Sequence, residues 1–163
     1  MIIFITVGTE KFSFDRLIRI VDDVADKGLI KGKFFAQIGE SNYIPKKIQY
    51  SKFLEFRIFL EHVKRSDLVI THAGVGTLLN CLSFGKIPII FPRLHKYSEH
   101  LDDHQLEFSN ALEREGAAIV ARNGEELIFK IKNYNKLIKN LKVNLASSTK
   151  DKLITYLNDI VES

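Results

Sequence analysis

Apolar residues in this chain occur in two alternating patterns. Short continuous runs rich in β-branched residues, such as Ile2–Val7, are typical of strands that are buried on both faces. Between the runs, apolar positions recur three or four residues apart, as at Leu17, Val21 and Val24, which predicts amphipathic helices. Because strands and helices alternate throughout, we expect an α/β fold with a parallel sheet and helices on both of its faces.

The same patterns set the order of the elements. Strands are predicted at residues 2–7, 34–38, near 48, and at 67–71, 87–91 and 117–121. Helices are predicted at residues 14–27, 53–63, 78–84, 102–114 and over most of 124–162. No repeat or linker interrupts the series, so we predict one domain over residues 1–163. The C-terminal helices at about 124–162 end in an apolar stripe that fits two arrangements equally, packing on their own sheet or docking on a partner.

Composition narrows the class of protein. The chain has 163 residues, of which 45% are hydrophobic and 27% charged, so it can bury a core without disulfides and is not disordered or collagen-like. Its one cysteine, Cys81, excludes an internal disulfide or a multi-thiolate metal site and favours a reducing compartment. No apolar run approaches the roughly 18 residues that span a bilayer. We therefore expect a soluble, cytoplasmic protein.

Charge gives little support for a nucleic-acid partner. The net charge of +4 arises from 24 Lys and Arg against 20 Asp and Glu, an excess too small to indicate nucleic acid by itself. Lysines without an intervening acid alternate with apolar residues between Phe129 and Lys142. A solvated lysine face on a surface helix explains this stretch better than a role at a membrane surface. We expect no nucleic-acid partner.

Three polar loops follow predicted strands, and in a parallel sheet such loops meet at a ligand-binding crevice. They span residues 8–10, 72–77 and 93–105. The second contains Gly74-Val75-Gly76-Thr77 directly before a helix, where free N–H groups and the absence of a Cβ favour a phosphate group. A tight turn without a ligand is an equal alternative for this motif alone. A dinucleotide fingerprint would need a third glycine where Leu79 stands, which disfavours an NAD(P) enzyme.

A group of histidines and acids lies in the third loop. His100 and His104 are spaced as on one side of a helix, with His95 and Asp103 nearby. Leu101 replaces the glutamate that follows the first histidine in zinc proteases, so that metal motif is absent. Helix capping explains these residues better than a metal, and hydrogen bonding to sugar hydroxyls is a third explanation. We predict no metal site.

Five segments carry a resemblance to a known family: Phe4–Thr9, Phe14–Ile18, Asp67–Thr77, Glu99–His100 and Asp103–Gln105. In this order, over roughly residues 1–121, they resemble the C-terminal, donor-binding domain of family 28 glycosyltransferases. More closely, the pattern is similar to the small catalytic subunits of two-component bacterial capsular and exopolysaccharide transferases, and to the catalytic subunit of the eukaryotic dolichol-linked UDP-GlcNAc transferase. The resemblance implies a Rossmann-like three-layer parallel sheet that forms the C-terminal half of a GT-B glycosyltransferase.

The resemblance also implies an activity. The chain would transfer a sugar from a UDP-sugar donor to a lipid-linked saccharide acceptor in capsule or exopolysaccharide biosynthesis, with inversion and without a metal. A membrane-anchored partner subunit would bind the acceptor and recruit the chain to the cytoplasmic face of the membrane. No cofactor is expected, because the UDP-sugar is the substrate. The alternative is a non-catalytic nucleotide-sugar-binding or scaffold subunit that activates a separate transferase.

Residue roles follow from the same resemblance. Donor binding is implied for Gly8, Thr9, Leu54, His72, Gly74, Val75, Gly76, Thr77, Asn80, Asp103, His104 and Gln105. Asn80 stands where a peptidoglycan transferase of the family has a ribose-binding glutamate, so the bidentate carboxylate contact with ribose is lost here. For the base that deprotonates the acceptor, Glu99 and His100 are the catalytic candidates, with Glu10 a further candidate and the partner subunit another source.

Overall fold

The computed structural model describes residues 1–144 together with Thr155 and Asp159. Within this part of the chain, six strands form one sheet: Ile2–Thr6 (β1), Lys33–Gln37 (β2), Gln49–Ser51 (β3), Leu68–Thr71 (β4), Ile89–Ile90 (β5) and Ile119–Val120 (β6). The strands lie in the order β3-β2-β1-β4-β5-β6, and all neighbours are parallel. The predicted parallel sheet is confirmed, and its two halves meet between β1 and β4.

Six α-helices can be traced within residues 1–144, and they confirm the predicted alternation with the strands. They are Asp15–Asp26 (α1), Phe56–Arg65 (α2), Val75–Ser83 (α3), His104–Arg114 (α4), Gly124–Lys132 (α5) and Tyr134–Asn144 (α6). A short 3₁₀ helix at His95–Tyr97 lies in the loop after β5. The C-terminal segment is thus helical as far as Asn144, with a break at Asn133. The rest of the helical segment predicted over 124–162 lies outside the described residues, apart from Thr155 and Asp159.

Two helices begin later than predicted, and a hydrogen bond explains each difference. α2 begins at Phe56 instead of 53, because the Leu54 N–H donates to Gln37 Oε1 at 3.0 Å and is held outside the helix. α4 begins at His104 instead of 102, because the carboxylate of Asp102 accepts the His104 N–H at 2.9 Å. Local apolar spacing carries no information about either contact.

α3 begins earlier than predicted. Its first residue is Val75, and Gly74 is the N-cap in an extended conformation. Gly76 and Thr77 therefore belong to the first helical turn and not to a loop before the helix. Glycine is unfavourable inside helices, and here the strand-to-helix turn overrides that preference.

Alternate residues of the strands face opposite helical layers. Ile3 and Ile5 of β1 belong to the core cluster that contains residues of α1 and α5. Phe4 points the other way and packs with Phe59 of α2 and Cys81 of α3. A third cluster joins β5 and β6 to α3 and α4. The predicted Rossmann-like three-layer arrangement is confirmed, with α1 and α5 on one face and α2, α3 and α4 on the other.

Asp22 is a buried carboxylate on α1 that holds the loop leading into β3. The side chain is 3% exposed. It accepts hydrogen bonds from the Tyr43 hydroxyl and from the backbone N–H groups of Lys46, Lys47 and Ile48, at 2.6 to 3.2 Å. Burial alone would raise the pKa of Asp22, but these hydrogen bonds outweigh burial and lower its pKa below the usual value.

We expect Asp22→Ala to lower the free energy of unfolding by about 2–4 kcal/mol, because it leaves buried N–H groups without an acceptor. Asp26→Ala is the matched control on the same helix. It removes only an exposed ion pair with Lys47 and should cost less than about 0.5 kcal/mol. Urea unfolding at neutral pH measures both values.

The pKa of Asp22 is tested by comparing the wild type with Asp22→Ala at different pH values. Because this pKa is lower in the folded chain than in the unfolded chain, the stabilisation is complete above about pH 4 and is lost as the pH falls through the folded-state value. The stability difference between the wild type and Asp22→Ala should therefore shrink in acid. A difference that stays constant down to about pH 3 would contradict this assignment.

Candidate functional site

A cleft lies where β1, β2 and β4 end, at the reversal in strand order. Ligands of open parallel sheets bind at this point, outside the carboxyl ends of the strands. The cleft has a volume of about 460 Å³, within the range of small-molecule sites. It is lined by Gly8, Thr9, Glu10, Gln37, Leu54, Phe56, Phe59, His72, Gly74, Val75, Gly76, Thr77 and Asn80.

Buried hydrogen bonds between neighbouring strands fix the floor of the cleft. Thr6, the last residue of β1, accepts at Oγ1 from the Gly8 N–H and from Gln37 Nε2, both at 3.2 Å. Gln37 Oε1 accepts the Leu54 N–H at 3.0 Å, so this one amide joins β1 to the segment after β3. Sequence analysis missed Gln37. The available signal was a polar residue that ends a buried strand at the carboxyl edge of the sheet.

His72 follows β4 directly, and its imidazole lies between Gly8 and Gly74 at the back of the cleft. The residue is 4% exposed, and its Nδ1 is 3.2 Å from Thr71 Oγ1. Burial, and next the charge of Arg93, lower the pKa of His72 to about 3. The ring is therefore neutral at physiological pH and brings no charge to a ligand.

The first turn of α3 presents free backbone N–H groups to the cleft. Gly74 caps the helix without a side-chain hydrogen bond, and the Leu78 N–H donates to the Gly74 carbonyl at 3.1 Å. The N–H groups of residues 75–77 thus have no partner inside the helix. A Cβ at Gly76 would meet no atom within 4 Å, so the space beside it is open. Free N–H groups at the positive end of a helix dipole suit a phosphate.

A histidine lies between two carboxylates at the rim of the cleft. His100 Nε2 is 3.4 Å from Glu10 Oε2, and His100 Nδ1 is 3.3 Å from Asp102 Oδ1. The ring also packs against Phe12, with ring centroids 5.6 Å apart. Glu10 lines the cleft and His100 does not. His100, one of the predicted catalytic residues, therefore contacts the cleft through the carboxylate of Glu10.

Glu99, the other predicted catalytic residue, lies outside the cleft. It is 4% exposed, and its two carboxylate oxygens accept hydrogen bonds from Arg16, each at 2.8 Å. Oε2 also accepts the Leu94 N–H at 2.9 Å. The expectation that Glu99 faces the crevice is not met, because both oxygens are engaged in anchoring the loop after β5.

Arg93, which the sequence suggested only as the start of a polar loop, is fully buried. Its Nη1 donates to the carbonyls of Phe12, Ser13 and Glu99 at 2.9 to 3.3 Å, and its Nη2 donates to the Val7 carbonyl at 2.7 Å. One guanidinium thereby joins the loop after β1 to the loop after β5. Burial lowers the pKa of Arg93, but nearby carboxylates oppose this shift and the group stays charged.

The third predicted loop builds structure instead of lining the cleft. Gln105 is 7% exposed, and its Oε1 accepts a backbone N–H at 3.3 Å. Asp103 Oδ1 accepts the His95 N–H at 2.9 Å, and the side chain of His104 is mostly exposed. Asp103, His104 and Gln105 therefore do not reach the cleft, whereas every predicted donor-binding residue up to Asn80 lines it.

The described residues offer little other chemistry. Among them, no group of three or more His, Cys, Asp or Glu side chains is arranged to hold a metal ion. No helix in this part of the chain is both long and apolar enough to cross a membrane. Cys81 is buried in α3, and burial raises the pKa of its thiol to about 12, so it is not a nucleophile at neutral pH.

Comparison with protein families identifies the chain. Residues 2–158 match the glycosyltransferase family 28 C-terminal domain. The chain belongs to this family. The resemblance inferred from the sequence motifs is confirmed, and the match extends beyond the residues that carried it.

Curated relatives of this family 28 domain include subunits of a eukaryotic transferase. The human protein named UDP-N-acetylglucosamine transferase subunit ALG13 is 34% identical over 123 residues, which cover 70% of this chain. The mouse protein of the same name is 31% identical over 122 residues, or 69% of this chain. The chain spans about a tenth of the length of these two relatives.

Solved structures similar to the family 28 domain share its fold at low sequence identity. MurG of Acinetobacter baumannii has a TM-score of 0.58 and 16% identity, over 95% of this chain and 49% of that protein. Os79 of O. sativa in complex with UDP has a TM-score of 0.60 and 14% identity, over 97% of this chain and 40% of that protein. The predicted fold, the Rossmann-like C-terminal half of a GT-B glycosyltransferase, is confirmed.

We expect Arg93→Lys to destabilise the family 28 domain by about 3 kcal/mol or more, because an ammonium group cannot bond the carbonyls of two loops as the guanidinium does. Arg122→Lys is the control. It keeps a charge beside Glu113 on the surface and should change the free energy of unfolding by less than about 1 kcal/mol. Urea unfolding followed by circular dichroism measures both, and equal losses would show that the buried guanidinium has no special role.

Proposed function

We propose that this family 28 domain is the catalytic, donor-binding subunit of a two-component glycosyltransferase that uses a UDP-sugar. The observation that carries the proposal is the cleft at the reversal in strand order, with the free N–H groups of α3 at its side. The family match makes sugar transfer the relevant chemistry. The acceptor is a lipid-linked saccharide of capsule or exopolysaccharide biosynthesis, bound by a membrane-anchored partner that recruits the chain to the cytoplasmic face of the membrane.

The donor diphosphate would lie at the first turn of α3. Charge develops on the leaving UDP during transfer, and the N–H groups of residues 75–77 are oriented to stabilise it without a metal. Gly76 leaves room for a phosphate to approach the backbone. Leu54 and Phe56 then offer an apolar wall for uracil, and Asn80 offers a hydrogen bond to ribose.

The named relatives suggest the first donor to test. The human and mouse proteins are named as subunits of a UDP-N-acetylglucosamine transferase. A UDP-GlcNAc 2-epimerase from Neisseria meningitidis, solved with bound UDP-GlcNAc, shares the fold with a TM-score of 0.58 and 12% identity, over 99% of this chain and 44% of that protein. We propose UDP-GlcNAc as the donor because of the names of the human and mouse relatives, since the likeness to the epimerase concerns the fold alone.

Exposed apolar side chains at the carboxyl edge of the sheet support a partner that covers the cleft. Phe53 and Phe56 after β3 are 42% and 65% exposed, and Tyr97 and Leu101 after β5 are 52% and 72% exposed. Large exposed apolar side chains on loops at the edge where a cleft opens are typical of an interaction site. The acceptor-binding subunit would pack here and complete the site.

Among the described residues, Glu10 is the best-placed base. Its carboxylate lines the cleft, and His100 contacts it from the rim. In an inverting transfer, Glu10 would take the proton of the acceptor hydroxyl while that oxygen bonds to the anomeric carbon of the sugar. The bond from this carbon to the phosphate oxygen breaks, and UDP leaves with the electron pair.

We expect the purified chain to bind UDP in preference to ADP and NAD in ligand-observed NMR. Asn80→Leu should weaken UDP binding by about tenfold, because it removes one hydrogen bond to ribose without changing side-chain volume greatly. Asn135→Leu is the matched control, since Asn135 is exposed on α6 away from the cleft, and should leave UDP binding unchanged. Equal binding of all three nucleotides, or equal loss in both variants, would contradict the donor site.

We expect Glu10→Gln to lower sugar transfer by about a hundredfold or more, because it removes the proton acceptor while UDP-GlcNAc binding is retained. Glu40→Gln, an exposed carboxylate paired with Lys52, is the control and should transfer at the wild-type rate. The assay uses the chain co-purified with its acceptor-binding subunit and a lipid-linked acceptor. If the Asn80→Leu variant and the Glu10→Gln variant each transfer sugar at the wild-type rate, the scaffold alternative is indicated instead.

A further inference from the structure

We infer that His72 is a positioning residue whose imidazole acts as a spacer between the loop after β1 and the first turn of α3. In this assignment Gly8 and Gly74 are glycines because the ring occupies the space of their side chains. The inference rests on the proposed function only where donor affinity is concerned. The steric claim, that the ring excludes side chains at Gly8 and Gly74, concerns the fold and does not depend on the proposed function.

The clearances around the ring are the first observation. A Cβ built on Gly74 would lie 2.3 Å from His72 Nε2 and 2.6 Å from its Cε1. A Cβ built on Gly8 would lie 2.5 Å from Cε1 and 2.7 Å from Nε2. Side-chain carbons do not approach other atoms this closely, so neither backbone segment could stand at its present distance from the ring with any residue except glycine.

Backbone conformation separates the three glycines of the cleft. Gly8 has a φ of +78°, a conformation that by itself favours glycine. Gly74 has φ −77° and ψ 123°, which any residue adopts, so its backbone gives no reason for glycine. A Cβ at Gly76 would meet nothing within 4 Å. At Gly74, therefore, the imidazole and not the backbone conformation is the obstacle to a side chain, whereas at Gly8 both are.

The ring is buried, and among the described residues it forms no ion pair with the ionisable groups near it. Thr71 Oγ1 lies 3.2 Å from Nδ1, and the residue is 4% exposed. Arg93 and His100 are close enough to act on it electrostatically, and Glu10 lines the same cleft. Because the imidazole is neutral in this setting, its effect on a bound diphosphate is to set the distance between the two backbone segments and not to add a charge.

A double-mutant cycle between positions 72 and 74 tests the spacer. Gly74→Ala should lower the melting temperature by about 3–9 °C in the wild type, because its Cβ forces the buried ring to move. The same substitution should cost less than about 2 °C in a His72→Ala background, where the obstacle is gone. Gly76→Ala is the stability control: its Cβ meets no atom and alanine favours the helix, so the melting temperature should stay the same or rise by up to about 4 °C, and should not fall.

Measuring donor affinity distinguishes a positioning role of His72 in the cleft from a role in stability alone. His72→Ala should weaken UDP-GlcNAc binding by about tenfold, measured by calorimetry well below all melting temperatures, because the two segments are no longer held apart. Gly74→Ala should weaken binding by a similar factor in the wild type and by less than about twofold in the His72→Ala background. If His72→Ala does not fold, His72→Asn, also shorter than histidine, takes its place throughout.

The outcomes are distinct. Equal melting-temperature losses from Gly74→Ala in both backgrounds would overturn the spacer. A His72→Ala protein that is less stable but binds UDP-GlcNAc as tightly as the wild type would overturn the positioning role. A wild-type chain that binds no UDP-GlcNAc, with the expected coupling in melting temperature, would refute the donor proposal and leave the spacer supported.

Discussion

A buried guanidinium determines where the two loops beside the cleft stand. Taking a charge out of water costs several kcal/mol unless its hydrogen bonds are replaced, and Arg93 meets this cost with carbonyls from both loops. Its guanidinium also lies 4.8 Å from the centre of the Phe14 ring, at the start of α1. Arg16 and Glu99 add a second tie between α1 and the loop after β5. A change in the shape of either loop would remove carbonyl acceptors from a buried guanidinium whose Nε already has no hydrogen-bond partner.

This arrangement leaves the cleft without a positively charged side chain among its described lining residues. Arg93 is committed to backbone carbonyls, and His72 is neutral. Of the lining residues that the structure describes, Glu10 is the one with a carboxylate. An anionic ligand here must rely on backbone N–H groups, which are fixed in direction by the helix and need no reorganisation when charge develops. Selectivity among anionic ligands then depends more on the distance between the loop after β1 and the first turn of α3 than on the net charge of the cleft.

The fold could be predicted because buried parallel strands and amphipathic helices have different local patterns of apolar residues in the sequence. The run at β4 and the spacing on α1 each needed only a few neighbouring residues to be interpreted. The first two loops of the site followed for the same reason, since each comes directly after a strand. Which residues of the third loop reach the cleft could not be predicted, because the loop is held by contacts between residues far apart in the chain, such as Arg93 with Val7. Gln37 was missed although a local signal was available, since it is a polar residue at the end of a buried strand.

The order of strands also dictates when the sheet can form as the chain is made. β1 is synthesised first and lies in the middle of the sheet, with β2 on one side and β4 on the other. Its second neighbour is distant, since the Ile2 N–H bonds to the carboxylate of Asp67, 65 positions later. Until β4 has left the ribosome, one edge of β1 stands open, and unpaired apolar edges promote association with other chains. Pairing of the first half of the sheet, β1 with β2 and β3, is therefore the earliest protection available to the nascent chain.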